Sequence, residues 1–439
     1  MNPHSDFDKL LSQLETIELS TVHGRITEVV GMLLKAVIPD VKMGEICIIK
    51  REGGEPLLSE VVGFTKEEVF LSPLGEMTGI GPSAEVIPLH MPMYIKVGPE
   101  LLGRVLDGYG HPLDVEEKGP LNLTQTQAVI APPPNPLKRR LIDEPLPVGV
   151  RAIDGVLTCG KGQRMGIFAG AGVGKSTLLG MIARNSTADV NVIALIGERG
   201  REVREFLIND LGEEGMKRSV VIVSTSDQAA QLRINAAYVG TAIAEYFREQ
   251  GKTVVLMMDS VTRFARALRE VGLAAGEPPA RAGFTPSVFA TLPRLLERSG
   301  NSDKGFMTAF YTILVAGDDI HEPISDETRS ILDGHIILSN DLAQQYHYPA
   351  IDVLSSISRV LTNIVDREHV ELIGKIREVL AGYKKNELLI RIGEYKPGSD
   401  KQADFAIKYI DKVNRFLKQQ VGEKSSFEET LQQLRLLFK

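Results

Sequence analysis

The sequence predicts an α/β fold: a parallel-sheet core with a small β-barrel in front of it and a helical region behind. Three features point that way. Five segments, "VNVIALIG", "SVVIVSTS", "TVVLMMDS", "TAFYTILV" and "GHIILS", alternate with helical patterns and are almost uniformly apolar, as strands covered on both faces must be. Ahead of them, from about Ser20 to Leu89, short strand-like runs are separated by Gly, Pro and charged turns, which fits a small barrel. After about Thr362 strand signals fade, and Ile373, Ile376, Val379 and Leu380 recur at helical spacing.

Composition sets the frame. The chain has 439 residues, 43% hydrophobic and 24% charged, enough apolar material for two or three domains. A net charge of −7 argues against a broad nucleic-acid or anionic-membrane surface. Two distant cysteines, Cys47 and Cys159, make neither a disulfide framework nor a zinc site and read as buried small hydrophobes in a reducing compartment. The start, "MNPHSDFDKLLSQLE", has no apolar core, and nowhere do about eighteen uncharged apolar residues run together. A cytoplasmic location is expected.

In chain order, the barrel rests on "GRITEVVG", "GEICIIK", "SEVVGFTKEEVFLSPL" and "AEVIPL", after which a Pro-rich connection, "IAPPPNPLKRRLIDEPLPVG", leads to the core. The first core strand, Met165 to Phe168, opens "MGIFAGAGVGKSTLLGMIA". It runs into a small-residue loop, Ala169, Gly170, Ala171, Gly172, Val173 and Gly174, and Lys175, Ser176 and Thr177 then start an apolar helix. Such a loop turns backbone N–H groups inward, and with the positive end of the helix it cradles the β- and γ-phosphates of a nucleotide. Lys175 reaches the same oxygens, and the Ser176 hydroxyl is a ligand for Mg²⁺. Ala169 stands where the strict pattern has Gly, so the motif is met in its relaxed form. A Gly-rich turn without ligand is the plainer reading, and the order strand, loop, helix weighs against it.

Charged residues gather where strands end, which is where open α/β sheets bind ligands. Asp259 closes "VVLMMD", the usual shape of the acid that holds Mg²⁺ or its water. Glu198 and Arg199 follow "VIALIG". With one acid on the metal, Glu198 is left to orient or polarise the attacking water, although in "GERGREVREF" it is equally readable as a solvated acid. Further on, "GDDIHEPISDE" packs Asp318, Asp319, His321, Glu322 and Asp326 together. It is expected to be a short loop with no helix or strand to fix its geometry, and so not a metal site. In the tail, Ser399 with Gln402 and Ser426 with Glu429 have capping-box spacing before later helices.

Taken together, "AGAGVGKST", "IGERGREVREF", "LMMDSVTRFARALRE", "GEPPARAGFTPSVFATLPRLLERSG" and "YPAIDVLSSISR" closely resemble the type III protein-secretion ATPases, flagellar export ATPases included, themselves relatives of the rotary ATP synthase subunits. The resemblance covers nearly the whole chain. It implies a homohexameric ring of RecA-like P-loop domains, with an N-terminal barrel over 1–92 for oligomerisation, an ATPase domain over 93–362 and a C-terminal helical domain over 363–439 for chaperone and substrate contact. It implies Mg²⁺-dependent ATP hydrolysis with Lys175 on the phosphates, Ser176 and Asp259 at the metal, Glu198 catalytic and Arg199 near the terminal phosphate. Arg359, closing "SSISR", matches an arginine finger that reaches into a neighbouring subunit, and Tyr348 an aromatic packed on adenine. Implied partners are a central coiled-coil stalk, a peripheral regulator or stator, export chaperones with unfolded substrates, and an export gate at the inner membrane, on whose cytoplasmic face the ring would sit.

"PARAGF" and "KGFMTAFYTIL" depart from the family's usual runs and bear on loop and partner contacts rather than on the chemistry. The segments around "GDDIHEPISDE" and "HYPAIDVLSSISRVL" lean toward the virulence-type branch. A rotary ATP synthase or vacuolar-type subunit is an alternative, as is a hexameric nucleic-acid motor of the transcription-terminator type. The first divides the Glu198 and Arg359 duties between two chains. The second needs stacking aromatics and clustered cations, where Ser20 to Leu89 offers Phe64 and Phe70 as its aromatics. A non-catalytic scaffold would have lost Glu198.

Overall fold

The computed structural model describes residues 23–439 apart from 52 and 316–321. Two compact units result, one of residues up to Met93 with Ala274–Gly276, the other of Tyr94–Leu273 and Glu277–Lys439.

The first unit is the expected barrel. Strands β1 (Gly24–Val30), β2 (Leu33–Val37), β3 (Glu45–Ile49), β4 (Leu57–Phe64), β5 (Val69–Pro73) and β6 (Glu85–Pro92) close in the order β1-β2-β5-β4-β3-β6. Alternate positions such as Leu57, Ser59 and Val61 of β4 point inward, and Ile26, Leu34, Cys47, Ile49, Leu71 and Val86 fill the interior. Register shifts in the β1–β2, β3–β6 and β4–β5 pairings supply the bends that closure needs. Cys47, like Cys159 in the second unit, is buried and unpaired.

In the second unit, β7 (Tyr94–Val97) pairs antiparallel with β9 (Gln125–Ala128), while the two-residue β8 (Val105–Leu106) joins the main sheet. That sheet also contains β10 (Arg164–Ala169), β11 (Val190–Glu198), β12 (Ser219–Thr225), β13 (Thr253–Asp259), β14 (Phe306–Leu314), β15 (Gly334–Leu338) and β16 (Ile357–Ser358), in the order β16-β15-β10-β14-β13-β11-β12-β8. All pairings are parallel except β15–β16. The five apolar strands read from sequence are present, with β14 starting two residues early. β8 and β16 are too short to leave a periodic signal.

Because the central strands are parallel, β10, β14, β13 and β11 end on one side of the sheet, and the loops leaving those ends form the site. Behind the core, helices Arg367–Arg391 and Lys401–Leu417 pack against each other, and Phe427–Leu436 packs on the short helix Arg151–Val156. Ile373, Ile376 and Val379 are buried, as their spacing predicts, and join one apolar core with Leu179, Ile193 and Met257. The capping box at Ser426 and Glu429 is formed. The one at Ser399 is not. Asp400 caps the helix by accepting from Gln402 and Ala403 N–H, while the Ser399 hydroxyl donates to Lys396 O. A carboxylate one residue nearer the helix out-competes the hydroxyl as acceptor.

The segment "GDDIHEPISDE" is not wholly the loop its composition predicts. Pro323 opens a helix, Pro323–Ile331, with Glu322 at its N-cap, so Asp326 sits on regular structure and not in a loop, and pairs with Arg329 and Arg281. Proline at the first helical turn costs no hydrogen bond and presets φ, which the loop reading overlooked. Asp318, Asp319 and His321 lie outside the described residues. Among the described residues no helix is long and apolar enough to cross a membrane.

Candidate functional site at the strand ends

The phosphate loop leaves β10 at Ala169 and ends at Gly174, the N-cap of helix Lys175–Asn185. Gly172 and Gly174 hold φ of 77° and 88°, a left-handed conformation that side-chain-bearing residues rarely adopt, and this turns the loop's N–H groups to one side. Ala169, Gly170 and Val173 are buried and anchor the loop, whereas Ala171, Gly172 and Ser176 are exposed. Thr177 hydrogen-bonds the Asp210 carboxyl.

Three chemical groups converge behind this loop. Lys175 forms an ion pair with Asp259 Oδ1 and lies 3.4 Å from Glu198 Oε1. Asp259, its side chain only 4% exposed, also accepts from the Thr312 hydroxyl at 2.7 Å. The electrostatics follow from burial. For Lys175, desolvation favours the neutral amine, but Asp259 and then Glu198 outweigh it, and the ammonium is held above its ordinary pKa. For Glu198, desolvation dominates and Asp259 adds to it; Lys175 opposes both, and the carboxyl titrates above its usual range. One cation thus screens two acids that would otherwise repel.

Glu198 owes its aim to a bulge. The β11–β12 register shifts between Ile196 and Glu198, at Gly197, whose φ is 69°. A Cβ there would lie 3.2 Å from Arg263 Cβ, so position 197 requires glycine both for conformation and for the close approach of Arg263. Arg263, in the first turn of the helix that follows Asp259, acts electrostatically on Glu198, and its Nε is buried without a hydrogen-bond partner. Arg263 and Thr312 were not singled out from sequence. A signal existed for each: an arginine four residues past the metal-type aspartate, and a fully buried threonine within an apolar strand.

Tyr348 is brought to the loop. A Cβ on Gly174 would lie 3.5 Å from its ring, and the residue stays 39% exposed, leaving ring surface open. Arg199 is not brought in: its side chain is 73% exposed and donates to Glu202 Oε1 at 3.0 Å. Arg359 lies at the other end of the sheet. Its N–H donates to Asp333 O at 2.9 Å, beside the first residue of β10, whereas the phosphate loop follows the last. Five residue-to-residue steps along β10 separate these ends, roughly 16 Å. There Arg359, with Arg329, Ser330, His335 and Asp326, lines an open cavity of about 360 Å³. Burial lowers the His335 pKa, and Arg329 and Arg359 lower it further.

Family models match three stretches: the ATP synthase alpha/beta family beta-barrel domain over 26–90, its nucleotide-binding domain over 149–358, and the T3SS EscN ATPase C-terminal domain over 365–436. Among related proteins, a type 3 secretion system ATPase of Xanthomonas euvesicatoria is 52% identical, across 96% of this chain and 95% of its own. A flagellum-specific ATP synthase of Bacillus subtilis is 50% identical, across 96% and 97%. The solved structure of the assembled ATPase EscN from the enteropathogenic E. coli type III secretion system superposes with a TM-score of 0.90 at 48% identity, covering 95% of this chain and 100% of that one. EscN in complex with its central stalk EscO gives 0.88, with the same coverage.

Proposed function

Because the chain belongs to the family of type 3 secretion and flagellum-specific ATPases and is therefore an ATPase, we propose that a ring of its copies hydrolyses ATP with Mg²⁺ to release chaperones and prepare unfolded substrates for export. The observation that carries the reading is Lys175 clasped by Glu198 and Asp259 at the ends of neighbouring strands. This ammonium has two anionic partners now and gains a third when a nucleotide's terminal phosphates enter the loop. Its movement toward them would uncover both carboxylates at once.

The donor set fits Mg²⁺. A nearly buried carboxylate and the hydroxyl of an exposed serine are hard oxygen ligands, so Asp259 and Ser176 would hold the ion. When bound, the ion neutralises charge on the phosphate oxygens. Glu198, uncovered by Lys175 and re-aimed by the Gly197 bulge, orients the attacking water and accepts its proton. Its raised pKa makes it a better acceptor than a surface glutamate. Arg263 adds a fixed positive charge beside it, and Arg199 reaches the terminal phosphate after leaving Glu202. Tyr348 packs on adenine. Arg359, too far from its own loop, serves a neighbour's site.

A hexamer of this chain and a coiled-coil stalk in its pore are supported by assembled EscN and its EscO complex. The 1–92 segment is assigned to ring contacts, in keeping with exposed Val29, Met32, Met43 and Phe64, the 93–362 segment to catalysis and the 363–439 segment to chaperones and substrates. A stator or regulator and the export gate complete the setting, at the cytoplasmic face of the inner membrane. Relatives of both branches match equally well, so identity does not separate virulence from flagellar export.

The decisive measurement pairs nucleotide binding with steady-state turnover. Glu198→Gln should bind ATP nearly as wild type while hydrolysis drops to background, and Lys175→Ala should lose binding as well. Near-normal turnover by Glu198→Gln would remove Glu198 from the mechanism.

A further inference from the structure

After helix Lys401–Leu417 the chain crosses back over the nucleotide core, and Gln419, only 4% exposed, is the centre of that crossing. Its N–H donates to the Tyr348 carbonyl at 2.9 Å. Its side-chain oxygen accepts from Arg151 N–H at 2.8 Å, and its amide nitrogen donates to Gly149 O at 2.9 Å and Glu423 O at 3.0 Å. Both ends of the amide are therefore satisfied, and a buried amide with all partners in place has one orientation. Two further ties hold the same stretch. The Arg151 guanidinium pairs with Glu423 and donates to Phe416 O at 3.0 Å, and Arg184 donates to Val421 O at 3.0 Å. Arg184 lies in the last turn of the helix that begins with Lys175.

We infer that Gln419 is a positioning residue for Tyr348, and that residues 418–424 form a strap through which the C-terminal helices set the ring on the adenine side of the site. The inference rests on the reading of Tyr348 as the adenine contact. The physical argument is one of separate anchors. Glu198 and Asp259 close strands and Lys175 opens its helix, the three paired with one another, and the strap meets that helix at Arg184, about 14 Å along it from Lys175. The Tyr348 ring packs on Gly174, and its main chain is tied to the strap through Gln419. Loosening the strap should cost base recognition and leave phosphate recognition alone. A movement of the C-terminal helices on meeting a partner would reach the nucleotide by the same route, through its base.

The test uses the full chain and two ligands. Gln419→Ala removes the side-chain anchors, and the expected rise in KM for ATP is about threefold to tenfold, the worth of one or two net hydrogen bonds. The fall in kcat should be smaller than the rise in KM. Inhibition by inorganic tripolyphosphate, which has no base, should be unchanged. A purely structural role for Gln419 would weaken both ligands together, and that result overturns the inference. Arg184→Ala, which frees the Val421 end, should shift ATP and not tripolyphosphate by a smaller factor, and it decides the matter should Gln419→Ala not fold. The chain contains no tryptophan, so Tyr348→Trp gives a single reporter beside Gly174. If ATP leaves the emission of that variant unchanged, the adenine reading itself fails. If emission responds but Gln419→Ala and Arg184→Ala keep wild-type ATP affinity, the strap fails alone.

Discussion

Lys175 and Asp259 were legible in the sequence because one follows a phosphate loop and the other closes a strand, positions where a charge in an apolar context stands out, whereas Glu198, in a charge-rich segment, read equally well as a solvated acid until the family resemblance favoured it. Arg263 and Thr312 were not legible, because their contribution depends on which strands are neighbours. β14 lies beside β13, which brings the Thr312 hydroxyl to Asp259, and no local pattern encodes that order. The convergence has a measurable consequence. Burial raises the Glu198 pKa, with Asp259 adding to it and Lys175 opposing. A raised value means that the carboxyl keeps its proton to higher pH, and the protonated acid cannot accept one from water. The acid limb of the pH–rate profile should therefore lie above the ordinary glutamate value of 4.5. A limb at or below that value, measured for kcat/KM, which reports the nucleotide-free site, would contradict a buried Glu198 as the proton acceptor.

Among the elements, length decided what could be read. Strands of five or more apolar residues announced themselves, while the two-residue β8 and β16 and the π-helical turn Phe206–Leu211 did not. The Gly197 bulge was equally silent, since its role depends on a φ and on Arg263 passing close by. The turn after helix Asn340–Gln344 carries another unadvertised feature. His347 is buried, its Nε2 has no hydrogen-bond partner, and it lines a cavity of about 250 Å³ whose walls include Ile410 and Leu417. Asp341, Asp352, Lys384 and Glu387 face the same cavity. Burial, and then Lys418, lower the His347 pKa from 6.5 to about 4. The unfolded chain therefore takes up this proton first. The stability contributed by keeping His347 neutral is complete above pH 6.5 and is lost as pH falls toward about 4, a loss on the order of 3 kcal/mol. Denaturant midpoints at pH 7 and 4.5 should fall less for His347→Gln than for wild type. Equal falls would mean that the imidazole is not what acid attacks.

At the scale of the whole molecule, the decisive fact is that Glu198 and Arg359 sit at opposite ends of one sheet. The phosphate loop follows the last residue of β10, and Arg359 is bonded beside the first, with an open cavity in front of it lined by Arg329 and Ser330 as well. If Arg359 is the finger, as we propose, it is placed to serve a neighbour's phosphate rather than its own, and two copies would share each site. Sequence alone would have left Arg359 a surface arginine; the proposed role comes from the family resemblance, because a residue that completes a neighbour's site would leave no trace in its own surroundings. Removing such a charge costs about 10³-fold or more in turnover. Arg359→Ala should still bind ATP and assemble, yet be nearly inactive, as Glu198→Gln should be for a different reason. Mixed, the two should recover activity, because an Arg359→Ala copy keeps Glu198 and can borrow the arginine of a Glu198→Gln neighbour, which completes that interface. Recovery would be small if all sites must act in turn, so each variant is also mixed with wild type to measure how far one dead site silences the rest. If wild type tolerates dead neighbours while the two variants never complement, Arg359 does not act across the interface.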